Sequence, residues 1–188
     1  MLNYDQRIIA FQGLVNVATE SFPCDIDLII DYLKKLGYFN APASTKFHLS
    51  EDGGLFEHSL NVTYALLELT KNNRLKWQNK DSCIIIGLFH DLCKSDSYVR
   101  NIITDSYSWN DKQRVFGHGD KSVKYLEEMR ERGLIRELTG EERFCIRWHM
   151  GAFEGKEMWN NFTDAIHQYP NVLWTHTADM IATHIKEV

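Results

Sequence analysis

The sequence predicts an all-α fold formed by one domain that covers residues 1–188. Apolar residues recur at helical spacing along most of the chain. Residues 83–89 are an uninterrupted apolar run, which a helix shows when neighbouring helices cover it on several sides. The chain is 188 residues long, with 44% hydrophobic and 25% charged residues, as is usual for a single globular domain. We therefore expect a helical bundle built around the helix that contains residues 83–89.

Eight segments carry the helical pattern. They are residues 4–20, 23–36, 55–71, 80–93, 119–132, 139–150, 157–168 and 171–187. Between the fourth and fifth segments, residues 97–117 combine β-branched and aromatic residues with polar turn residues. This composition predicts a short β-hairpin or an irregular loop.

Composition and charge exclude several classes of protein. The longest apolar run is far shorter than the roughly 20 residues that span a bilayer, so we expect no membrane association. The start of the chain shows no secretory signal, which favours the cytoplasm. The four cysteines are scattered without a close pair, and we expect them to be reduced: Cys24, Cys83, Cys93 and Cys145. The net charge of -5 gives no overall attraction to nucleic acid.

Metal-capable side chains occur on most of the later helices. They are His58, the adjacent pair His90 and Asp91, His118, His149 and Asp179. Each is separated from the next by enough residues to change helix, and His58 and Asp179 fall on apolar helix faces. Helices of a bundle commonly aim such side chains at one interior point to build a metal site.

Simpler interpretations exist for each of these residues. A lone histidine on an apolar face, such as His58, is most often a hydrogen-bonded core residue. His118 suits the first turn of a helix, and His149 suits a helix end. Asp91 and Asp179 are harder to explain in this way, because a buried carboxylate needs a cation, either a metal ion or a side chain such as Lys94. The remaining histidines look ordinary: His48, His167, His176 and His184.

At these residues the chain resembles the HD-domain metal-dependent phosphohydrolases. That family has a histidine on one helix, a His-Asp pair on a buried helix and an aspartate on a late helix. The matching stretches here are "GGLFEHS" with His58, "HDLCK" with His90 and Asp91, and "ADMIA" with Asp179. The resemblance extends over about residues 40–185 and implies a helical HD bundle with these four residues as metal ligands.

The same resemblance suggests a second ion and limits the substrate. His118 in "FGHGDKS" and His149 in "RWHMG" are similar to the histidines that complete a two-metal site in some family members. Lys94, three residues after Asp91, also matches a frequent family feature. "LCK" stands where many relatives have glycine before the lysine, and no "GYP" stretch is present, which argues against cyclic di-GMP as substrate.

The donor types indicate which metal and which chemistry to expect. Imidazole and carboxylate together favour a divalent transition metal, Mn, Fe, Co, Ni or Zn, as one or two ions. Such ions activate water and neutralise charge on a phosphoryl oxygen, with Asp91 shared between the two ions as a catalytic ligand. Lys94 is expected either to stabilise the phosphate in catalysis or to hold a carboxylate such as Asp96. Thr45 and Lys46 precede the His58 helix and are expected to help bind phosphate.

The sequence therefore predicts a divalent-metal-dependent phosphohydrolase acting on a small-molecule phosphate ester, with a nucleotide as the favoured substrate. Two alternatives stay open. One is a nuclease or phosphodiesterase that acts on nucleic-acid ends, with a basic patch around Trp77 as its weak support. The other is a non-catalytic regulatory domain that binds metal for structure. The oligomeric state does not follow from the sequence.

Overall fold

Eight α-helices and one β-hairpin follow one another along the chain in the computed structural model, which describes residues 1–47, 49–113 and 117–187. The helices are α1 (Tyr4–Val17), α2 (Ile26–Leu36), α3 (Gly54–Asn73), α4 (Ser82–Phe89), α5 (His118–Glu131), α6 (Gly140–Arg147), α7 (Trp159–Gln168) and α8 (Asn171–Ile181). The strands β1 (Tyr98–Asn101) and β2 (Ser106–Trp109) are antiparallel. The predicted all-α class and the hairpin are confirmed. Residues 114–116 of the predicted segment and His48 lie outside the described residues.

The helix α4 lies at the centre of the fold. All eight of its residues are buried, as its apolar sequence predicts. It packs most extensively against α3, which in turn packs against α8. The α3–α4 contact is close because Gly87 has no side chain: a Cβ there would lie 2.5 Å from the Cα of Thr63. This close packing brings the His58 helix next to the His90–Asp91 turn.

A second pair, α5 and α6, carries the other two histidines. Gly119, in the first turn of α5, lies directly against the main chain at the end of α6. A Cβ at Gly119 would lie 2.2 Å from the carbonyl oxygen of Arg147. The helix α6 also packs against α4 and α8, so the histidine-bearing ends of both helices reach the centre of the fold.

Four helices end three or more residues earlier than the sequence pattern predicts: α1, which ends at Val17, and the three helices α4, α6 and α8. The helix α4 ends at Phe89 and is followed by a 3₁₀ turn, Leu92–Asp96. The helix α6 ends at Arg147, and α8 continues beyond Ile181 as a π-helical turn, Ala182–Lys186. The apolar periodicity of the sequence does not reveal where these helices end, because the turn that follows a helix also buries apolar residues on the same side. Here the endings of α4, α6 and α8 place polar side chains in the interior.

The structure also bears on membrane crossing and on the cysteines. Within the described ranges, no helix combines the length and the apolarity needed to cross a membrane. All four cysteines are free, as expected.

Candidate metal centre

The six metal-capable residues that the sequence singles out lie together at the centre of the fold. They come from α3, from the turn after α4, from the start of α5, from the turn after α6 and from α8. His58, His90, Asp91, His149 and Asp179 are buried, and His118 is partly buried. The tertiary structure therefore brings together residues that span more than 120 positions of the sequence.

His58 lies next to three of the other residues. The Nε2 atom of His58 lies 3.2 Å from Nε2 of His90, 3.2 Å from Oδ1 of Asp179 and 3.5 Å from Oδ2 of Asp91. Nε2 of His90 lies 3.5 Å from the same Asp91 oxygen. Two ligands that each bind one ion at about 2.1 Å cannot be more than about 4.2 Å apart. The donor atoms of His58, His90 and Asp91 satisfy this limit pairwise, and Asp179 satisfies it with His58.

The other oxygen of Asp91 faces the remaining histidines. Oδ1 lies 2.6 Å from Nε2 of His118 and 3.3 Å from Nε2 of His149. His149 also has a donor atom within 4.8 Å of donors on His90 and Asp179. Asp91 and His149 thus lie where the two groups of ligands meet, and Asp91 offers one oxygen to each group.

Main-chain carbonyls orient two of the four histidines. Nδ1–H of His90 donates to the Gly87 carbonyl at 3.0 Å, and Nδ1–H of His149 donates to the Ile146 carbonyl at 2.7 Å. Both acceptors belong to the last turn of a helix, where carbonyls have no partner within the helix. The early endings of α4 and α6 therefore direct the Nε2 lone pairs of both histidines toward the centre.

Side chains orient the other two histidines. Nδ1 of His58 lies 3.1 and 3.2 Å from the two carboxylate oxygens of Glu187. Nδ1 of His118 contacts the Cys93 sulfur at 3.5 Å. All four histidines therefore direct Nε2 to the cluster, as metal-binding histidines do when a partner holds the opposite nitrogen.

Without a metal ion, the cluster retains protons on two histidines. Burial lowers the pKa of His58, but hydrogen bonds to Asp179 and Glu187 outweigh it and raise the value from 6.5 to about 9. Burial likewise lowers the pKa of His118, but the Cys93 sulfur and the Asp91 carboxylate raise it to about 10. The cluster therefore attracts positive charge, which a divalent ion would also provide.

The pKa shifts of the other titratable groups in the cluster are also those expected of a site that attracts positive charge. Burial dominates at His90 and lowers its pKa to about 3, so the ring is neutral near neutral pH. Burial alone would raise the pKa of Asp91, but Lys94 and the nearby histidines hold it well below its usual value. The pKa of Asp179 is also lowered, by His58, against the effect of burial. Both carboxylates are therefore ionised and available as ligands.

One further observation indicates that these residues are suited to bind a divalent metal ion. Nε2 of His149 is buried and makes no hydrogen bond among the described residues. Because Nδ1 of His149 is bound to a carbonyl, Nε2 is the ring atom that faces the Asp91 carboxylate, at 3.3 Å. A buried polar atom without a hydrogen bond is costly unless another partner compensates it. A metal ion between His149 and Asp91 would provide that partner.

A cavity of about 790 Å³ leads to the cluster. Its polar lining includes His58, Asp91, Lys94 and Asp179. Lys94 has a side chain that is only 13% exposed, and its Nζ lies 2.6 Å from Oδ2 of Asp91. The nearby carboxylates raise the pKa of Lys94 despite its burial. Lys94 therefore presents a permanent positive charge where the cavity meets the metal ligands.

Other sequence predictions need correction or remain predictions. Lys94 does not hold Asp96, because Asp96 is bound by Lys121 at 2.6 Å and by Tyr125 at 2.7 Å. Thr45 is half-buried and Lys46 is exposed. Neither is among the cavity-lining residues of the described chain. Their role in phosphate binding remains a prediction.

Sequence reasoning missed several residues of the site. Glu187 and Cys93 hold histidine rings, and His176 donates from Nδ1 to the main-chain carbonyl of His149 at 2.8 Å. Phe47 and Phe153 line the cavity. Glu187 and Cys93 gave no signal, because an acid next to a lysine near a helix end and a single cysteine just after a buried helix are both common. His176 looked ordinary because its partner is a main-chain atom.

Comparison with known proteins agrees with this geometry. The family model for the HD domain matches residues 55–182, more than half of the chain. The chain belongs to the HD-domain family. The match begins just before His58 and ends just after Asp179, so the HD domain contains all six converging residues. Comparisons with curated proteins and with solved structures found no match.

Membership places the chain in the superfamily of metal-dependent phosphohydrolases. The family as a whole binds divalent metal ions, and the buried His/Asp cluster of this HD domain offers ligands of the right kind. The helical structure with one small hairpin is likewise that of an HD bundle.

Proposed function

We propose that this HD domain, over residues 1–188, hydrolyses a phosphate ester with the help of one or two divalent metal ions. The observation that carries the proposal is the position of Asp91. This carboxylate lies between two groups of histidines and beside Lys94, where the cavity meets the cluster. The metal-binding histidines, the Lys94 ammonium group and the cavity for a substrate thus all lie next to the Asp91 side chain.

The donor set suits Mn, Fe, Co, Ni or Zn. His58, His90, Asp91 and Asp179 would hold one ion, and Asp91, His118 and His149 would hold another. A bound ion would activate water and neutralise charge on a phosphoryl oxygen. The chain supplies the geometry, because each imidazole is held from its far side before any ion binds.

Lys94 is the residue proposed to contact the phosphate. Its ammonium group has three hydrogens, of which Asp91 takes one. The others are available to phosphate oxygens that enter the cavity. A preorganised cation at this position stabilises charge that develops on the phosphoryl group. Thr45 and Lys46 remain proposed as weaker phosphate contacts from the segment that leads to Phe47.

A nucleotide is the proposed substrate because the cavity lining also includes large apolar side chains. They are Phe47, Met150, Phe153 and Met180. Phe47 is 82% exposed and Phe153 is 64% exposed, which is unusual for large apolar side chains. Exposed aromatic rings suit a flat aromatic base, which stacks on them with about 1–3 kcal/mol per base.

Nucleic-acid ends are a less favoured substrate. The basic patch near Trp77 is partly engaged in structural contacts: the indole Nε1–H donates to Thr70 at 3.0 Å, and Lys80 pairs with Glu20 at 2.8 Å. A metal-binding regulatory role is less favoured too, because the cavity gives the cluster access to a ligand. The cytoplasmic location remains a prediction from the sequence.

One experiment tests the proposal. The purified protein is analysed for bound metal, assayed for phosphate release from nucleoside monophosphates and from ribose 5-phosphate, and assayed for shortening of an oligonucleotide. We expect bound transition metal, release from the nucleotides and slower release from the base-free sugar phosphate. Metal binding without hydrolysis of any of them would favour the regulatory role. Faster cleavage of the oligonucleotide would favour the nucleic-acid alternative.

A further inference from the structure

His58 is held from both sides of its ring by carboxylates that belong to one late segment of the chain. Its Nε2 faces Asp179 at 3.2 Å. Its Nδ1 faces Glu187, whose oxygens lie at 3.1 and 3.2 Å. The Glu187 side chain is only 1% exposed, and the Asn61 amide donates to Oε1 of Glu187 at 3.0 Å. The contact is therefore enclosed and supported by a second hydrogen bond.

The end of α8 explains how one segment supplies both carboxylates. Residues seven apart lie on the same face of an α-helix, whereas Glu187 follows Asp179 by eight positions. Between them, Ala182–Lys186 form a π-helical turn. Such a turn accommodates one extra residue, and it is frequent at functional sites. It returns Glu187 to the side of the helix that carries Asp179.

The partner of His58 differs in kind from those of two other histidines in the cluster. His90 and His149 donate to neutral main-chain carbonyls that any sequence would provide. His58 alone among the four contacts a carboxylate through Nδ1. A carboxylate behind a metal-binding imidazole fixes the ring and its tautomer and makes the other nitrogen a stronger ligand.

We infer that Glu187 is a positioning residue for the metal centre, which holds the proton of His58 at Nδ1 and directs Nε2 to the ion. Neither the sequence pattern nor the family match, which ends at residue 182, includes Glu187. The inference rests on the metal centre of the proposed function and is independent of the substrate.

The test measures Mn²⁺ affinity by competition with a chelator, together with the melting temperature of the metal-free protein. Glu187→Ala should weaken Mn²⁺ binding by about 10–100-fold. Glu187→Gln should have a smaller effect, since its amide oxygen still accepts from Nδ1–H but carries no charge. The control is Lys186→Ala, a neighbouring exposed residue in the same turn, which should bind Mn²⁺ as wild type does.

Distinct results separate this inference from the proposed function. Wild-type protein that binds Mn²⁺ but releases no phosphate contradicts the function and still supports a role for Glu187 if Glu187→Gln binds more weakly. Wild-type affinity in both Glu187 variants overturns the inference and leaves the function intact. A lower melting temperature with unchanged Mn²⁺ affinity also overturns it, because the contact is then structural. If Glu187→Ala does not fold, Glu187→Gln decides, since it preserves size and hydrogen bonding.

Discussion

Oδ1 of Asp91 lies 2.6 Å from Nε2 of His118, across the interface between the turn after α4 and the first turn of α5. The second oxygen of Asp91 points to Lys94, also at 2.6 Å, and toward His58 and His90. One carboxylate thus joins both groups of ligands.

Replacement of Asp91 by Ala should abolish metal retention and hydrolysis together. The change removes the oxygen shared by both groups of ligands and leaves Lys94 without its buried partner. Loss of one partner from a buried ion pair costs roughly 3–5 kcal/mol. Metal content and phosphate release are the measurements, and circular dichroism reports folding. Asp91→Asn, which preserves volume, serves if the alanine variant unfolds; turnover by either variant would contradict the assignment.

Replacement of Lys94 by Ala should slow hydrolysis while metal remains bound. Lys94 is not a metal ligand, but its charge is placed to meet a phosphate, and loss of one such donor typically costs about 10²–10³ in kcat. Steady-state kinetics and metal content are compared with those of Lys71→Ala, an exposed residue of α3. Unchanged kinetics in Lys94→Ala would show that this lysine serves only to pair with Asp91.

The double replacement of His118 and His149 by Ala should halve the metal content. Wild-type protein is expected to bind about two equivalents of Mn²⁺, because Asp91 can be shared between two ions. The variant should retain about one equivalent, held by the remaining four ligands, and lose activity. Metal counting after dialysis measures this. Equal metal content in both proteins would instead assign the two histidines to the substrate.

The stability of the metal-free protein should pass through a maximum as pH changes. The pKa values of His58 and His118 are raised from 6.5 to about 9 and about 10, so the stability they contribute is complete below 6.5 and is lost as pH rises through those values. The pKa of His90 is lowered to about 3, so its contribution is complete above 6.5 and is lost as pH falls toward 3.

The melting temperature of the metal-free protein, measured at pH values between the lowered pKa of His90 and the raised pKa of His118, tests this expected maximum of stability. Saturating Mn²⁺ should remove the decline on the alkaline side, because the ion takes the place of the histidine protons. A melting temperature of the metal-free protein that keeps rising above neutral pH would contradict the charge balance described for the cluster.

Replacement of Gly119 by Ala should destabilise the protein. It should also selectively weaken the binding of the second metal ion, the one assigned to Asp91, His118 and His149. A Cβ at this position would lie 2.2 Å from the Arg147 carbonyl oxygen, so α5 must move away from α6, at a cost of about 1–3 kcal/mol. His118 moves with α5 and His149 stays with α6. Melting temperature and Mn²⁺ stoichiometry are the measurements.

The matched control is Gly13→Ala in α1, where nothing lies within 4 Å of the new Cβ. Alanine is the better helix former there by about 1 kcal/mol, so this variant should be at least as stable as wild type. Similar destabilisation in both variants would mean that the α5–α6 contact has no special role.

The sequence determined the fold class and six residues of the candidate site. Apolar periodicity reports which helix faces are buried, and a histidine or aspartate on such a face stands out because burying it without a partner is costly. His58, the His90–Asp91 pair and Asp179 were recognisable in this way. Cys93 and Glu187 were not, because nothing in their local sequence distinguishes them from ordinary residues.

Only the tertiary structure decided how these residues are oriented. The direction of an imidazole depends on the atom behind it, and that atom comes from a helix end at Gly87 and Ile146 or from distant residues such as Glu187, which lies 129 positions from His58. Helix ends and π-helical turns depend on packing between helices and not on local periodicity. The sequence therefore determined which groups are buried, and three-dimensional packing decided which nitrogen and which oxygen each of them presents to the centre.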